Sequence, residues 1–242
     1  MQTAHALVLS SLAGCAAGKN EDFRDPPPAP QVTQVSATHR SSTQLSIDWV
    51  TGPGAVLMRT EVTHAQYAAC VTRGACEAPS TFPGCNWEVL GTAEHPVNCV
   101  SWSAARAFCA WVGGRLPTGS EWDAAATNGS QTNFPWGDEK PTAERGHFMT
   151  FLLVTPYEPV RETPATRTTP AGSHPAGATK AGLQDMAGGV WEWTESESFG
   201  DKELRGGSGE ADKYGSISFV GRSGPTAWEN LMGFRCAQGS GR

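Results

Sequence analysis

The chain has 242 residues, including 28 glycines, 17 prolines and 9 tryptophans, and a formal net charge of −6. This length predicts one large domain with appendages, and the glycine and proline content favours a loop-rich fold. The acidic balance excludes the basic surface typical of nucleic-acid binding, and the sequence has no apolar run of about 18 residues that would predict a membrane-spanning helix.

The first 15 residues, MQTAHALVLSSLAGC, carry a short apolar run that ends at Leu12-Ala13-Gly14-Cys15. This end resembles the lipobox of a bacterial lipoprotein signal peptide, in which cleavage before the cysteine frees its thiol for acylation. The basic residues that usually precede such a run are missing, so a disordered or weakly helical leader is the alternative. We expect residues 1–15 to be a signal peptide lipidated at Cys15. This predicts an exported protein of the cell envelope, facing the periplasm or the cell surface and held to the membrane only by its lipid anchor.

A charged and then proline-rich segment follows, with the sequence KNEDFRDPPPAPQVTQ. Such a composition stays extended because it has too little apolar surface to offset the entropy of ordering. We therefore interpret residues 16–34 as a tether and residues 35–242 as the folded domain.

Two helix starts are predicted from capping chemistry. Thr63 is followed three residues later by Gln66, and Thr118 is followed three residues later by Glu121. Each pair is typical of a reciprocal capping box, in which the two side chains satisfy each other's backbone N–H groups.

A third helix is predicted in the segment VSWSAARAFCAWVGG. Ala105, Phe108, Cys109 and Val112 fall on one face at helical spacing, and Gly113-Gly114 can end the helix through a left-handed residue. We expect this to be the central buried helix.

After Asn128 the helical periodicity fades and turn signals dominate. The segments FPWGDEKP, TTPAGSHPAG, ELRGGSG and MGFRCA are punctuated by glycine and proline. They predict turn-rich sequence with short strand-like pieces, a backbone placed by turns and side-chain anchors rather than by strand ladders, and hence a mixed α+β domain.

Seven cysteines are present, and six remain for the domain once Cys15 is set aside. These are Cys70, Cys76, Cys85, Cys99, Cys109 and Cys236. They can form three disulfides, for which the sequence alone leaves about 15 arrangements open. No CxxC or Cys/His finger spacing occurs, so a zinc site is not expected.

The segment GLQDMAGGVWEWTES allows two interpretations. It could be a turn that runs into a strand, with Trp191 and Trp193 on one face and Glu192 and Thr194 on the other. Alternatively, Asp185 and Glu192 could belong to an oxygen-lined loop that closes on a hard cation.

Six collinear segments resemble the domain of formylglycine-generating enzymes, the sulfatase-modifying-factor domain. They are EVTHAQYAACV, HPVNCVSWSAARAFCAWVGGRLPTGSEWDAAA, FPWGDE, GLQDMAGGVWEW, LRGGS and MGFRCA. The resemblance covers roughly residues 55 to 238. It implies an α+β, formylglycine-generating-enzyme-like fold, related to C-type lectins, with little regular secondary structure and with structural calcium.

The resemblance also implies which residues hold that calcium. The family's loop binds through two side chains and two backbone carbonyls, and its positions fall on Asp185, Gly188, Val190 and Glu192. Ca²⁺ takes about six to eight oxygen ligands at roughly 2.3 to 2.6 Å, so these groups would supply much of its coordination. The family's usual Asn after the first glycine is Gly189 in this chain.

A further implication is a disulfide between Cys109 and Cys236, which would tie the C-terminal strand to the central helix. With that pair set, the remaining local pairs would be Cys70 with Cys76 and Cys85 with Cys99.

The family's chemistry requires residues that this chain lacks. In formylglycine-generating enzymes two cysteines follow the GGS motif and bind Cu(I) as soft thiolates. By ungapped alignment Ala211 and Ser216 occupy those two positions here. Copper is therefore not expected and no catalytic residue is assigned, whereas Trp191, Arg205 and Ser208 are expected to shape the remaining cleft.

Related enzymes that make sulfoxides use iron held by a His-x3-His-x-Glu cluster, which this chain also lacks. Two functional classes are consistent with the sequence. The first class is a non-catalytic binding or scaffold module of the envelope, whose partner would be an unknown peptide, glycan or envelope protein. The alternative is a divergent oxidoreductase of the same family, and the missing thiols favour the module.

Overall fold

A computed structural model of the protein describes residues 45–148, 168–207, 221–224 and 231–239. The predicted signal peptide with Cys15 and the predicted tether lie outside these residues. The helices and strands in chain order are β1 Trp49–Thr51, β2 Val56–Met58, α1 His64–Thr72, α2 Trp102–Trp111, β3 Gly114–Arg115, α3 Gly119–Ala126, a 3-10 turn at Pro175–Gly177, β4 Trp191–Ser198, β5 Asp201–Arg205, β6 Gly221–Ser223, β7 Met232–Gly233 and β8 Ala237–Gln238.

Both predicted capping boxes are confirmed. The Thr63 hydroxyl accepts from the Gln66 N–H while the Gln66 side chain accepts from the Thr63 N–H, and α1 begins there. Thr118 and Glu121 make the same reciprocal pair at the start of α3. These helix starts follow from contacts only three residues apart, which is why the local sequence predicts them.

The central helix α2 is also confirmed. Ala105, Phe108 and Cys109 are buried, and Ser101 caps the N-terminus by accepting from a backbone N–H. Gly113 has φ of 82°, the left-handed conformation that was predicted to end the helix.

Two small sheets flank this helix. The first has the order β1-β2-β8-β3 and is antiparallel throughout. The second has the order β6-β5-β4-β7, in which β4 pairs antiparallel with β5 and parallel with β7. Helices and strands of this kind in one domain confirm the predicted α+β class.

One expectation about the second half of the chain is wrong. The sequence predicted only short strand-like pieces there, placed by turns and side-chain anchors rather than by ladders, but β4 and β5 form a hairpin of eight and five residues. Charged and glycine residues surround this hairpin, so the local sequence gives a weak strand signal. Burial of Trp193 and Leu204 in the core stabilises the hairpin instead.

The aromatic centre of the core joins α1, α2 and the C-terminal segment. The Phe108 ring lies 5.6 Å from Tyr67 and 5.5 Å from Phe234, and all three side chains are fully buried. The Cys109–Cys236 disulfide lies in the same cluster and spans 127 residues. The local disulfides Cys70–Cys76 and Cys85–Cys99 are present as well, so all three expected pairs are confirmed.

Within the described ranges no helix has the length and apolar character needed to cross a membrane.

Candidate functional site

The segment that carries the candidate site ends in strand β4. Trp193 is fully buried in the core, and its Nε1 donates to the Val100 carbonyl at 2.8 Å. Glu192 lies on the opposite face and is fully buried too. The strand interpretation therefore describes residues 191–198, while the loop that was predicted to bind calcium immediately precedes it.

Glu192 is paired with an arginine. Arg235 Nε donates to Glu192 Oε2 and Arg235 Nη2 donates to Glu192 Oε1, both at 2.7 Å. Trp122 Nε1 donates to the same Oε2 at 2.8 Å. A fully buried carboxylate is thus matched by a bidentate guanidinium and an indole donor, which is how a buried charge is stabilised.

Arg235 also fastens the loop to the first sheet. Its guanidinium donates to four backbone carbonyls in addition to the Glu192 carboxylate. These belong to Met58, Arg59, Gln184 and Asp185. One side chain therefore joins the end of β2, the start of the loop and strand β4.

A third carboxylate reaches the loop from another part of the chain. Glu61 is 1% exposed, and its Oε1 accepts from the Val190 N–H at 3.0 Å. Burial raises the pKa of the Glu61 carboxyl well above its ordinary value, and the carboxylates of Asp185 and Glu192 raise it further. Burial also raises the pKa of Asp185, whose Oδ2 accepts from the Gly172 N–H at 2.5 Å.

The charges around the loop are mainly negative. Glu61, Asp185 and Glu192 bring three carboxylates, whereas Arg235 is the one cation that contacts Glu192 among the described residues. Carboxylate and carbonyl oxygens are the ligands that Ca²⁺ prefers. In the described part of the chain, no three His, Cys, Asp or Glu side chains are already arranged as a metal site. The predicted set uses only two side chains, with the carbonyls of Gly188 and Val190, so calcium stays a prediction.

All six cysteines of the domain are disulfide-bonded. Since the sequence has seven cysteines, Cys15 is the only other one. The chain after Cys15 therefore carries no free thiol in this structure. Ala211 and Ser216, which stand at the family's thiol positions, and the expected cleft residue Ser208 lie outside the described residues.

The two other expected cleft residues, Trp191 and Arg205, differ in how far they are buried. Trp191 is half-buried, and its ring lies so close to Gly221 that an added Cβ there would be 3.1 Å from it. Arg205 is 5% exposed and donates to Asp123 at 2.8 Å and to Glu203 at 3.0 Å. The guanidinium of Arg205 is thus committed to two ion pairs, of which the one with Asp123 joins β5 to α3.

A surface groove of about 900 Å³ lies between α2, the start of α3 and strand β4. Trp102 lines it, together with two ion pairs: Arg106 with Glu195 at 3.2 Å and Arg115 with Glu121 at 2.6 Å. Sequence reasoning missed this groove because its walls come from segments far apart in the chain. The Trp102 Nε1, for example, donates to the Thr194 carbonyl.

Sequence reasoning also missed the roles of Glu61, Trp122 and Arg235. Each lies inside one of the segments that carry the family resemblance, EVTHAQ, SEWD and GFRC. The signal available was the presence of charged or polar residues amid apolar neighbours, but nothing in the sequence says that Trp122 and Arg235 meet at Glu192 or that Glu61 accepts from the Val190 N–H.

Residues 34–240 match the model of the family described as the sulfatase-modifying factor enzyme 1-like domain. The chain belongs to this family. Among known members, the inactive Cα-formylglycine-generating enzyme 2 of Bos taurus is 36% identical over 164 residues, which is 62% of this chain and 52% of that protein. A hercynine oxygenase of Mycobacterium tuberculosis is 39% identical over 108 residues, or 43% of this chain and 22% of that protein.

The chain thus spans about half the length of one of these relatives and about a fifth of the other. The crystal structure of CarF superposes with a TM-score of 0.59 at 23% identity and covers 80% of this chain and 98% of CarF. At that identity the likeness speaks for the fold alone. It agrees with the family match, and the predicted formylglycine-generating-enzyme-like fold is confirmed.

Proposed function

We propose that this protein is a non-catalytic binding or scaffold module of the cell envelope, built on a sulfatase-modifying factor domain. One observation carries the proposal: every cysteine after Cys15 is held in a disulfide. A domain without a free thiol cannot bind Cu(I) through a thiolate pair. The existence of a relative named as inactive, 36% identical to this chain, supports the proposal.

The alternative is a divergent oxidoreductase. The similarity to a hercynine oxygenase supports it, because that relative is named for oxygen chemistry. Against it stands the missing His-x3-His-x-Glu cluster in the sequence.

Three further parts of the proposal concern location, calcium and partner. Residues 1–15 act as a lipoprotein signal peptide, and Cys15 anchors the exported protein. Calcium bound by Asp185, Gly188, Val190 and Glu192 stabilises the domain. The partner is a peptide, a glycan or an envelope protein, and the groove beside Trp102 has a volume within the range of ligand-binding sites.

Metal loading and oxygen uptake test the proposal. The purified protein is incubated with Cu(I) or Fe(II), desalted, and measured for bound metal and for oxygen consumption with a cysteine-containing peptide. The wild type should retain neither metal stoichiometrically and consume no oxygen above the background. Stoichiometric copper or iron together with oxygen uptake would establish the oxidoreductase instead.

A matched variant shows that the assay can detect a copper site. Ala211→Cys combined with Ser216→Cys restores thiols at the two family positions and should bind Cu(I) where the wild type does not. Its three native disulfides are checked by non-reducing peptide mapping, because added thiols can reshuffle them.

The calcium part has its own test. Thermal melts of the wild type and Glu192→Gln are recorded with and without prolonged exposure to a chelator. A bound ion stabilises by about 2.7 kcal/mol at a hundredfold excess over its Kd, so the wild type should lose several degrees on chelation. The variant should start lower and respond less. A wild-type melt that is indifferent to chelator would contradict bound calcium.

A further inference from the structure

A two-residue turn, Phe199-Gly200, joins strands β4 and β5. The pair Ser198–Asp201 closes the hairpin, and both turn residues have positive φ, 55° at Phe199 and 87° at Gly200. This is the pattern of a type I′ turn, in which Asn or Asp followed by Gly is preferred. Glycine suits the second position, but a bulky side chain is strained in the left-handed region. The hairpin by itself would therefore not select phenylalanine at 199.

Phe199 gains no burial that would offset this strain. The residue is 93% exposed, and its described ring contact is with Arg222, whose Cζ lies 5.1 Å from the ring centroid. A cation–π contact at an exposed site contributes little to stability. Leu90 is exposed to a similar degree, at 97%, but its φ is not positive. A single exposed apolar residue is ordinary, whereas strain and exposure at one residue are typical of a functional position.

Charges of both signs surround the turn. Glu197 pairs with Lys202 at 2.7 Å, and Asp201 and Arg222 are exposed. Two acidic and two basic residues leave no net charge, whereas binding to an anionic bilayer uses clusters of basic residues. One aromatic ring also offers a bilayer little apolar area. A single aromatic residue within a charged rim is instead typical of a protein interface, where a few such residues fill pockets on the partner.

We propose that Phe199 is the residue by which this domain binds another protein, and that the partner has an apolar pocket for the aromatic ring. The rim of that pocket carries charges of both signs, complementary to Glu197, Asp201 and Arg222. This inference rests on the binding part of the proposed function and narrows its partner to a protein. It does not involve calcium.

The variant Phe199→Asn separates binding from folding. Because Asn-Gly is the preferred type I′ pair, this variant should melt at a higher temperature than the wild type. Leu90→Asn is the matched control, since it removes an equally exposed apolar side chain from a residue without positive φ, and its melting temperature should change less. A lower melting temperature for Phe199→Asn would show that the ring stabilises the hairpin and would overturn the inference.

Photocrosslinking followed by titration tests the binding itself. A benzoyl-substituted phenylalanine is placed at position 199 of the full-length protein in the cells that produce it, and at position 90 as a control. Irradiation should join position 199, but not position 90, to one particular protein. That protein is then purified and titrated by calorimetry. Phe199→Asn should weaken its binding at least about thirtyfold, the loss typical of a central interface residue, and Leu90→Asn should bind like the wild type.

Several outcomes would contradict the inference. The inference fails if the crosslinker at position 199 captures no protein or only lipid. Crosslinks between copies of the purified chain would assign the ring to a homo-oligomer instead. A captured protein that binds Phe199→Asn as tightly as the wild type would show that the ring does not hold it.

These outcomes are distinct from failure of the non-catalytic proposal. If no partner is captured, that proposal still stands on the cysteines. Stoichiometric copper or iron with oxygen uptake would overturn it and leave the role of Phe199 untouched.

Discussion

Replacing Arg235 with methionine is the sharpest test of what holds this fold together. The arginine is fully buried and makes a bidentate pair with Glu192, with both distances at 2.7 Å. Methionine has similar length and suits an apolar interior, but it carries no charge and no donor. The substitution therefore leaves the Glu192 carboxylate buried with only the Trp122 indole as a described donor.

The size of the effect follows from the burial of both partners. Removing one partner of a fully buried ion pair costs about 3 to 5 kcal/mol, because the other charge stays desolvated. Any carbonyl that loses its one donor adds about 1 to 3 kcal/mol. The Arg59 carbonyl is spared because the Gln184 N–H also donates to it, at 2.8 Å. Since the total stability of a domain is about 5 to 15 kcal/mol, we expect a drastic loss.

The assay is guanidinium chloride unfolding with the disulfides intact and calcium chelated. Arg106→Met is the matched control, since the Arg106 side chain is 61% exposed in its pair with Glu195 and such pairs contribute about 0 to 1 kcal/mol. Adding Glu192→Gln to the Arg235→Met variant should recover part of the lost stability, because it removes the stranded charge. If Arg235→Met costs no more than the Arg106 control, the pair does not stabilise the fold as argued.

Three further predictions follow from other parts of the chain. Labelled palmitate should enter the protein in a bacterial host and Cys15→Ala should abolish it, so equal labelling of both would exclude the lipid anchor. Replacing both Cys109 and Cys236 with alanine should lower the free energy of unfolding by about 5 kcal/mol, whereas replacing both Cys70 and Cys76 should lower it by about 2 kcal/mol. The difference arises because the first disulfide spans 127 residues and the second spans 6. Equal losses in urea unfolding would contradict loop closure as the cause. Gly119→Ala should lower the free energy of unfolding by about 1 to 3 kcal/mol, since its Cβ would lie 2.3 Å from Arg205 Nη2. Gly52→Ala, whose Cβ makes ordinary contacts, should be near neutral. Equal melting temperatures for the two variants would refute the clash.

The sequence by itself determined the features that depend on near neighbours. Thr63 with Gln66 and Thr118 with Glu121 fixed two helix starts because the partners are three residues apart. The alternation along β4 placed Trp193 and Glu192 on opposite faces, as the period of a strand requires. The disulfide between Cys109 and Cys236 came from the family resemblance, since spacing left the pairing open.

Only the tertiary structure decided which charges meet. Glu192 is 43 residues from Arg235 and 70 from Trp122, and Val190 is 129 from Glu61. No local pattern encodes such pairings, because any buried guanidinium could satisfy any buried carboxylate until the chain path brings particular ones together. Gly189 shows the same limit. The sequence shows only that position 189 has no side chain, whereas the fold shows that Glu61 fills the space that a side chain there would take.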